Sequence, residues 1–238
     1  MRHRVRLLAT LLLVAGVLVL VWTGVVWQWQ DPFTALYTLW RQHELTAQYT
    51  KRAASFRPLP TDRGTLAGER HSTALDAARY RRETHRGEAI GRIIVPRMGI
   101  NMIVVDGTDS SSLRSGPGRD LRTFMPGENR LIYIAGHRTT YLAPFAHIDR
   151  MRRGDTVTLE LPYGTFIYRV NQDRIVRADD LSVLRSPRRE LLILQACHPR
   201  FFATDRFLVY GRLVRVEPRR GSPYNVEAAG VERSAQKR

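Results

Sequence analysis

The segment TVTLELPYGTFIYRV, residues 156–170, is the part of the sequence that decides the fold class. Apolar and polar side chains alternate through residues 156–161 and, less strictly, through residues 165–170. A period of two is typical of β-strands with one buried face. Pro162-Tyr163-Gly164 separates the two runs, and these residue types favour a tight turn. The segment therefore predicts an antiparallel β-hairpin.

The same period of two recurs on both sides of this hairpin. Together the runs predict eight short strands at residues 90–96, 101–105, 130–135, 156–161, 165–170, 172–177, 190–196 and 206–216. Short helices are expected at residues 110–114 and 142–151. Many short strands separated by turn residues indicate a closed barrel or a sandwich. We therefore expect one mainly-β domain over residues 89–216.

An uncharged apolar run stands at the N-terminus, at residues 7–27. At about 1.5 Å per residue a helix of this length crosses one bilayer core. Arginines precede the run and tryptophans follow it, which predicts a transmembrane signal anchor over residues 7–29 with residues 1–6 in the cytoplasm. A cleaved signal peptide shares the basic start, but its apolar core is usually shorter. We favour an uncleaved, single-pass anchor with the rest of the chain outside the cell.

The sequence between the anchor and the barrel predicts little tertiary packing. Asp31-Pro32 indicates the start of an amphipathic helix. Residues 58–87 are polar and charged and hold few large apolar side chains, which is typical of a mobile segment. We assign residues 30–88 to a helical and mobile extracellular stalk and residues 217–238 to a polar tail. On this basis residues 1–57 should be dispensable for folding.

Charge and cysteine content narrow the classes of function. The net charge of +16 favours an anionic neighbour, which could be nucleic acid, anionic lipid or cell wall, and the predicted anchor argues against nucleic acid. The single cysteine excludes an intramolecular disulfide framework and a cysteine-based zinc ribbon. Asp179-Asp180 lacks the fuller set of oxygen ligands that calcium requires. We expect no metal and no cofactor.

Three reactive side chains stand at predicted strand ends. Cys197 ends one apolar strand, His137 follows another, and Arg206 begins the strand after Cys197. A lone cysteine is often a small buried hydrophobe. If the three converge, Cys197 is the nucleophile, His137 the general acid and Arg206 the group that stabilises an oxyanion or positions the substrate. His198 is a weaker candidate because neighbours on a strand face opposite sides, and His147 is expected to pack or lie at the surface.

Several motifs together carry a resemblance to a known family. GHRTTY at residues 136–141, followed by APF at residues 143–145, is similar to the histidine loop of sortases, and of the actinobacterial class E sortases in particular. LQACHP at residues 194–199, with Arg206, resembles the sortase cysteine strand and its arginine. The stretches GPG at residues 116–118 and MPG at residues 125–127 resemble the approach to that histidine loop.

The resemblance implies an eight-stranded sortase-type β-barrel with short helices, preceded by the transmembrane helix. It also implies a cysteine transpeptidase that cleaves a Leu-Ala/Pro-x-Thr-Gly-like sorting signal between Thr and Gly. The threonine would then be joined to an amine of a peptidoglycan precursor or of another surface protein. The implied partners are surface proteins with a C-terminal sorting signal, the wall precursor and the cell membrane. Tyr141, Ala196 and His198 are implied substrate contacts, although sortases usually carry threonine where Ala196 stands.

Two other interpretations of the function are compatible with the sequence. An L,D-transpeptidase is another Cys/His acyl-transfer enzyme, but that family's Ser-His-Gly-Cys motif differs from Ala196-Cys197-His198. A non-catalytic, sortase-like scaffold could bind wall polymers through its arginines, and the departure at Ala196 gives this reading some support. Asp31-Pro32-Phe33 resembles the lid motif of pilus-building sortases, but its place beside the anchor favours a helix start.

Overall fold

The described residues form nine strands in one sheet, and this sheet closes on itself. The computed structural model describes residues 2–29, 32–60 and 65–226. The strands are β1 (Ala89–Val95), β2 (Ile100–Asp106), β3 (Gly118–Arg119), β4 (Leu131–Ala135), β5 (Thr156–Leu161), β6 (Gly164–Arg177), β7 (Leu191–His198), β8 (Asp205–Pro218) and β9 (Tyr224–Asn225). Their order is β6-β5-β1-β2-β3-β4-β7-β8-β9, and β6 also pairs with β8. That pairing closes β1 to β8 into the predicted eight-stranded barrel, with β9 added beside β8.

The hairpin predicted at residues 156–170 is formed by β5 and β6. Leu161 pairs with Gly164, so the loop consists of Pro162 and Tyr163 alone. β6 continues for 14 residues, and its register against β8 shifts between Val170 and Gln172. The two strands predicted at residues 165–170 and 172–177 are therefore one bulged strand. This merger removes one strand from the predicted eight, and the two-residue β3, which was not predicted, restores the number in the barrel to eight.

The strand pairings bring particular chain ends to one rim of the barrel. β4 and β7 are parallel neighbours, so their carboxyl ends meet at the same edge. β8 runs antiparallel to β7, which places the start of β8 at that edge as well. The barrel interior is filled by large apolar side chains that include Ile93, Ile132, Ile134, Phe166, Tyr168, Leu192 and Leu194. A second apolar cluster, which includes Leu131, Tyr133, Ile193 and Leu208, lies on the outer face of β4, β7 and β8.

The first helix, α1 (Arg2–Trp29), begins before the predicted anchor and ends with it. Within the described residues it is the one helix long and apolar enough to cross a membrane, over Arg2–Gly24. None of that span is buried against the rest of the protein. A membrane anchor and a signal sequence both have these properties.

The second helix, α2 (Pro32–Ser55), packs on the barrel instead of extending freely from it. Leu45 is 0% exposed and contacts the cluster of Ala89, Ile103 and Val105. Gln42 accepts a hydrogen bond from the Ile103 N–H and donates to the carbonyl oxygens of Ile103 and Ser115. The predicted amphipathic helix is present and begins at Pro32, although Asp31, its expected N-cap, lies outside the described residues.

A third helix, α3 (Leu66–Glu83), occupies most of the segment that the sequence analysis expected to be mobile. Its Tyr80 is buried with Phe56, and the Tyr80 hydroxyl donates to the Ile90 carbonyl at 2.9 Å. The other residues that α3 buries are mostly small or polar, such as Ser72 and Thr73. A rule based on large apolar residues therefore did not detect this interface.

Of the two short helices predicted within the barrel domain, one is present and the other is not. The helical turn expected at residues 110–114 is α4 (Ser110–Leu113), whose Asp109 side chain caps the Ser112 N–H. The helix expected at residues 142–151 is absent, and that segment holds only the 3-10 turn Ile148–Arg150. In the C-terminal segment, residues up to 226 include β9, and residues 227–238 lie outside the described part.

Candidate active site

One cleft of about 260 Å³ is lined by Cys197, His137 and Arg206. Cys197 on β7 and Arg206 on β8 stand opposite each other in the antiparallel pairing of these strands. The Gly136 N–H donates to the Gln195 carbonyl at 3.0 Å, which extends the β4–β7 pairing to the residue before His137. The antiparallel pairing thus places Arg206 beside Cys197, and the parallel pairing brings His137 to the same rim from a distant part of the sequence.

The loop that carries His137 is closed by its own backbone. The Phe145 N–H donates to the His137 carbonyl at 3.0 Å. Gly136 has no side chain to displace the Phe145 ring, and a Cβ there would lie 2.8 Å from that ring. Three consecutive residues, Tyr141 to Ala143, have positive φ values of 54°, 61° and 37°. L-residues rarely adopt this conformation, so surrounding contacts must hold the loop in place.

Tyr141 contacts the histidine and does not line the cleft. Its ring centroid lies 5.1 Å from that of His137, with an angle of 36° between the planes. On its other side Tyr141 packs edge-on against Tyr37 of α2 at 6.5 Å. The Tyr141 N–H also donates to the Thr34 hydroxyl at 3.1 Å. The start of α2 therefore supports the histidine loop, a contact that the sequence analysis missed.

Ala196 and His198 do not line the cleft. Ala196 is fully buried in the barrel interior because alternate residues of β7 face opposite sides. The Nδ1 atom of His198 lies 3.1 Å from Nη1 of Arg138, and its ring packs near Phe207. The substrate contacts expected for these two side chains stay predictions.

Several lining residues were not singled out from the sequence. An apolar wall is formed by Leu113 of α4 and by the 3-10 turn Leu181–Leu184, while polar groups come from Asp120, Arg122, Tyr133 and Gln195. Arg122 is held by an ion pair with Asp120 at 2.7 Å. Every second residue of a strand faces the same side of the sheet. Counting back in steps of two from Cys197 along its strand, and from Ala135 along the neighbouring strand, would have identified Gln195 and Tyr133.

Arg206 is oriented by the loop between β7 and β8. Its Nη1 atom donates to the carbonyl oxygens of Ala203 at 2.8 Å and Asp205 at 2.9 Å. Because the guanidinium is planar, fixing one nitrogen also fixes the direction of the others. The positive charge beside Cys197 is therefore held in a defined orientation.

The described residues contain no cluster of three or more His, Cys, Asp or Glu side chains that could hold a metal ion. Asp179 pairs with Arg177 at the surface. The Asp180 side chain accepts from the Ser182 N–H and caps the 3-10 turn at the cleft wall. His147 lines a separate groove between α2 and the histidine loop.

The pKa of His137 lies below the ordinary value of an imidazole. Burial is the larger cause because it removes the charged ring from water, and the positive charge of Arg114 is the second cause. Both disfavour the imidazolium. The neutral ring is therefore the more populated form of His137 at neutral pH, and Arg114 controls part of that balance.

We expect Arg114→Gln to raise the pKa of His137, since a positive charge that opposes protonation is removed while burial remains. The change is measurable by NMR as the pH dependence of the His137 Cε1–H shift, in a Cys197→Ala background that removes thiol titration. Arg150→Gln is the matched control: Arg150 contributes to a lowered pKa at His147, so His147 should respond and His137 should not. An unchanged His137 titration in Arg114→Gln would contradict this account.

Comparison with known proteins agrees with this architecture. The sortase-domain family profile matches residues 93–214. Sortase D of Bacillus subtilis (strain 168) is 33% identical over 154 residues, covering 62% of this chain and 75% of that protein. Sortase SrtE1 of Streptomyces coelicolor is 26% identical over 155 residues, covering 58% of this chain and 44% of the relative.

A solved structure repeats the fold. The X-ray structure of Clostridium perfringens sortase C with the C-terminal cell wall sorting motif superposes with a TM-score of 0.57 at 24% identity. The match covers 71% of this chain and 96% of that one. The sortase profile spans both β4 and β7, as well as the start of β8 that carries Arg206. The chain therefore belongs to the sortase family of transpeptidases.

Proposed function

We propose that this protein cleaves a Leu-Ala/Pro-x-Thr-Gly-like sorting signal between Thr and Gly and transfers the threonine to an amine. The observation that carries the proposal is the pairing of Cys197 with Arg206 beside His137 in one cleft. In this proposal α1 is an uncleaved membrane anchor, the N-terminus is cytoplasmic and the barrel is extracellular. The accepting amine belongs to a peptidoglycan precursor or a surface protein.

The chemistry follows from the three side chains. The Cys197 thiolate attacks the threonine carbonyl carbon, and Arg206 donates hydrogen bonds to the oxyanion that forms. The imidazolium form of His137, which is less populated than the neutral ring at neutral pH, gives its proton to the glycine nitrogen as the C–N bond breaks. A thioester remains on Cys197. The acceptor amine then attacks the thioester carbonyl and gives a proton to neutral His137, and the thiolate leaves.

One wall of the cleft is apolar. It is formed by Leu113, Leu181 and Leu184. Such a wall accepts apolar side chains of a bound ligand. This supports a peptide substrate that carries apolar side chains, such as the leucine of the proposed signal.

The direct test incubates the full chain in detergent with a Leu-Ala-x-Thr-Gly peptide and an amine acceptor. Mass spectrometry should detect a product in which Thr is joined to that amine. Cys197→Ala should give none. A wild-type protein that binds wall polymer but forms no product with any sorting peptide would favour the scaffold reading. The motif mismatch and the family assignment argue against an L,D-transpeptidase.

The choice between alanine and proline at the second signal position is a further expectation. By resemblance to class E enzymes we expect alanine to be preferred, with the Tyr141 hydroxyl or a water on it accepting from the backbone N–H that proline lacks. One such hydrogen bond corresponds to about 1–3 kcal/mol, or roughly 5- to 150-fold in kcat/KM. Tyr141→Phe should reduce this preference. Equal kcat/KM for the Ala and Pro peptides on the wild-type protein would contradict it.

A further inference from the structure

Arg138 follows His137 directly, yet its side chain lies on the other side of the loop. It does not line the cleft that His137 lines. The residue is 5% exposed, which is unusual for a charged side chain. A buried guanidinium needs partners, and Arg138 finds them on three separate segments.

The contacts of Arg138 reach the segments that carry the catalytic trio. Its Nη1 atom donates to the Cys197 carbonyl at 3.3 Å and to His198 Nδ1 at 3.1 Å. Its Nη2 atom pairs with Asp149 at 2.9 Å. The guanidinium carbon lies 5.9 Å from the Phe207 ring centroid, and Phe207 is the residue after Arg206.

We propose that Arg138 is a positioning residue that fixes His137 and Arg206 relative to Cys197. Arg138 follows His137 directly in the chain. Its guanidinium donates a hydrogen bond to the Cys197 carbonyl and packs against Phe207, the residue after Arg206. The inference rests on the proposed transpeptidation for its kinetic consequence. The planar guanidinium can hold the Cys197 carbonyl and Asp149 in one rigid arrangement, which a flexible ammonium cannot do.

A purely stabilising role would give a different result. The side-chain carboxylate of Asp149 is 50% exposed, so water can solvate it when Arg138 is replaced. The Cys197 carbonyl and the His198 ring would lose a donor and move. A shift of about 1 Å between catalytic groups can cost on the order of 100-fold in rate. Positioning therefore predicts a loss in kcat even where the barrel remains folded.

The experiment compares Arg138→Lys and Arg138→Met in the full chain, with exposed Arg150→Met as the matched control. Circular dichroism monitors folding, and kcat and KM are measured separately for peptide transfer. The rate of Cys197 alkylation by iodoacetamide at one fixed pH reports the surroundings of the thiol without any substrate. Lysine retains the positive charge but lacks the planar set of donors of the guanidinium, whereas methionine lacks both the charge and the donors.

We expect both Arg138 variants to fold with kcat reduced about 100-fold and KM changed by less than about threefold. Iodoacetamide should alkylate Cys197 at a changed rate in both Arg138 variants, because the Cys197 carbonyl loses its guanidinium donor and the residue moves. Arg150→Met should match the wild type in both assays.

Two results would overturn the proposal. One is a folded variant pair with kcat within about threefold of the wild type and an unchanged alkylation rate. The other is unfolding of both variants, which would assign Arg138 to stability. If the wild-type protein itself transfers no peptide, the proposed function fails. The alkylation rates of the folded variants then decide the role of Arg138 on their own: a changed rate in both variants supports it, and wild-type rates reject it.

Discussion

Cys197→Ala is expected to lower transpeptidation to the background rate, because the chain holds no other thiol to form the thioester. His137→Ala should retain a thiol that iodoacetamide alkylates but lose protonation of the leaving amine. Groups that act as one unit give single-variant losses on the order of 10⁴-fold or more that do not add. The double variant should therefore be no slower than Cys197→Ala. The measurement is kcat/KM for transfer of a sorting peptide to an amine.

Arg206 belongs to the same unit and gives the most specific test of geometry. Arg206→Lys should lose about 100-fold or more in kcat/KM, close to the loss in Arg206→Ala, because an ammonium lacks the two-pronged donor. His147→Ala is the matched control for the histidine, since His147 lies in a different groove. Near-normal activity in His137→Ala together with loss in His147→Ala would assign the acid to the other ring. Retained activity in Arg206→Ala would remove its oxyanion role.

Removal of residues 1–57 is expected to destabilise the barrel strongly, in contrast to removal of residues 1–31. The longer deletion removes Leu45 from its buried cluster and deletes the Gln42 hydrogen bonds to Ile103. It also removes the partly buried Tyr49, whose hydroxyl donates to the Glu160 carbonyl, and buried Phe56. Each buried apolar side chain contributes roughly 1.5–3 kcal/mol, and a whole domain has only about 5–15 kcal/mol.

Urea unfolding of the two truncated proteins measures this difference. The variant that begins at residue 32 should unfold cooperatively and retain the contacts of Thr34 and Tyr37 with Tyr141. The variant that begins at residue 58 should unfold at much lower urea or aggregate. Equal unfolding midpoints would show that α2 contributes nothing to the barrel, which would restore the sequence-based expectation of a dispensable stalk.

The strands were predictable from sequence because their pattern reflects the fold directly. Alternation in residues 156–170 specifies which face is buried, and Pro162 marks the turn. The convergence of Cys197, His137 and Arg206 could be expected only as a hypothesis, because it depends on which strands are neighbours. The parallel β4–β7 pairing, which joins segments about 60 residues apart, supplies that information.

The helical part was predicted less well for a physical reason. α3 packs through Ser72, Thr73 and Ala77 with Tyr80, so its buried face has little large apolar surface. The role of α2 depends on contacts with distant residues such as Tyr141, which no local pattern encodes. His198 and Ala196 were assigned to the substrate by motif similarity, and the alternation of β7 turns both away from the cleft.

The most direct test of the central claim is the intact mass of the protein after rapid mixing with a Leu-Ala-x-Thr-Gly peptide and acid quenching. Wild-type protein should gain the mass of the acyl group up to threonine, and peptide mapping should locate it on Cys197. Cys197→Ala should gain no mass. An adduct on another residue, or peptide cleavage in the Cys197→Ala variant, would contradict the account.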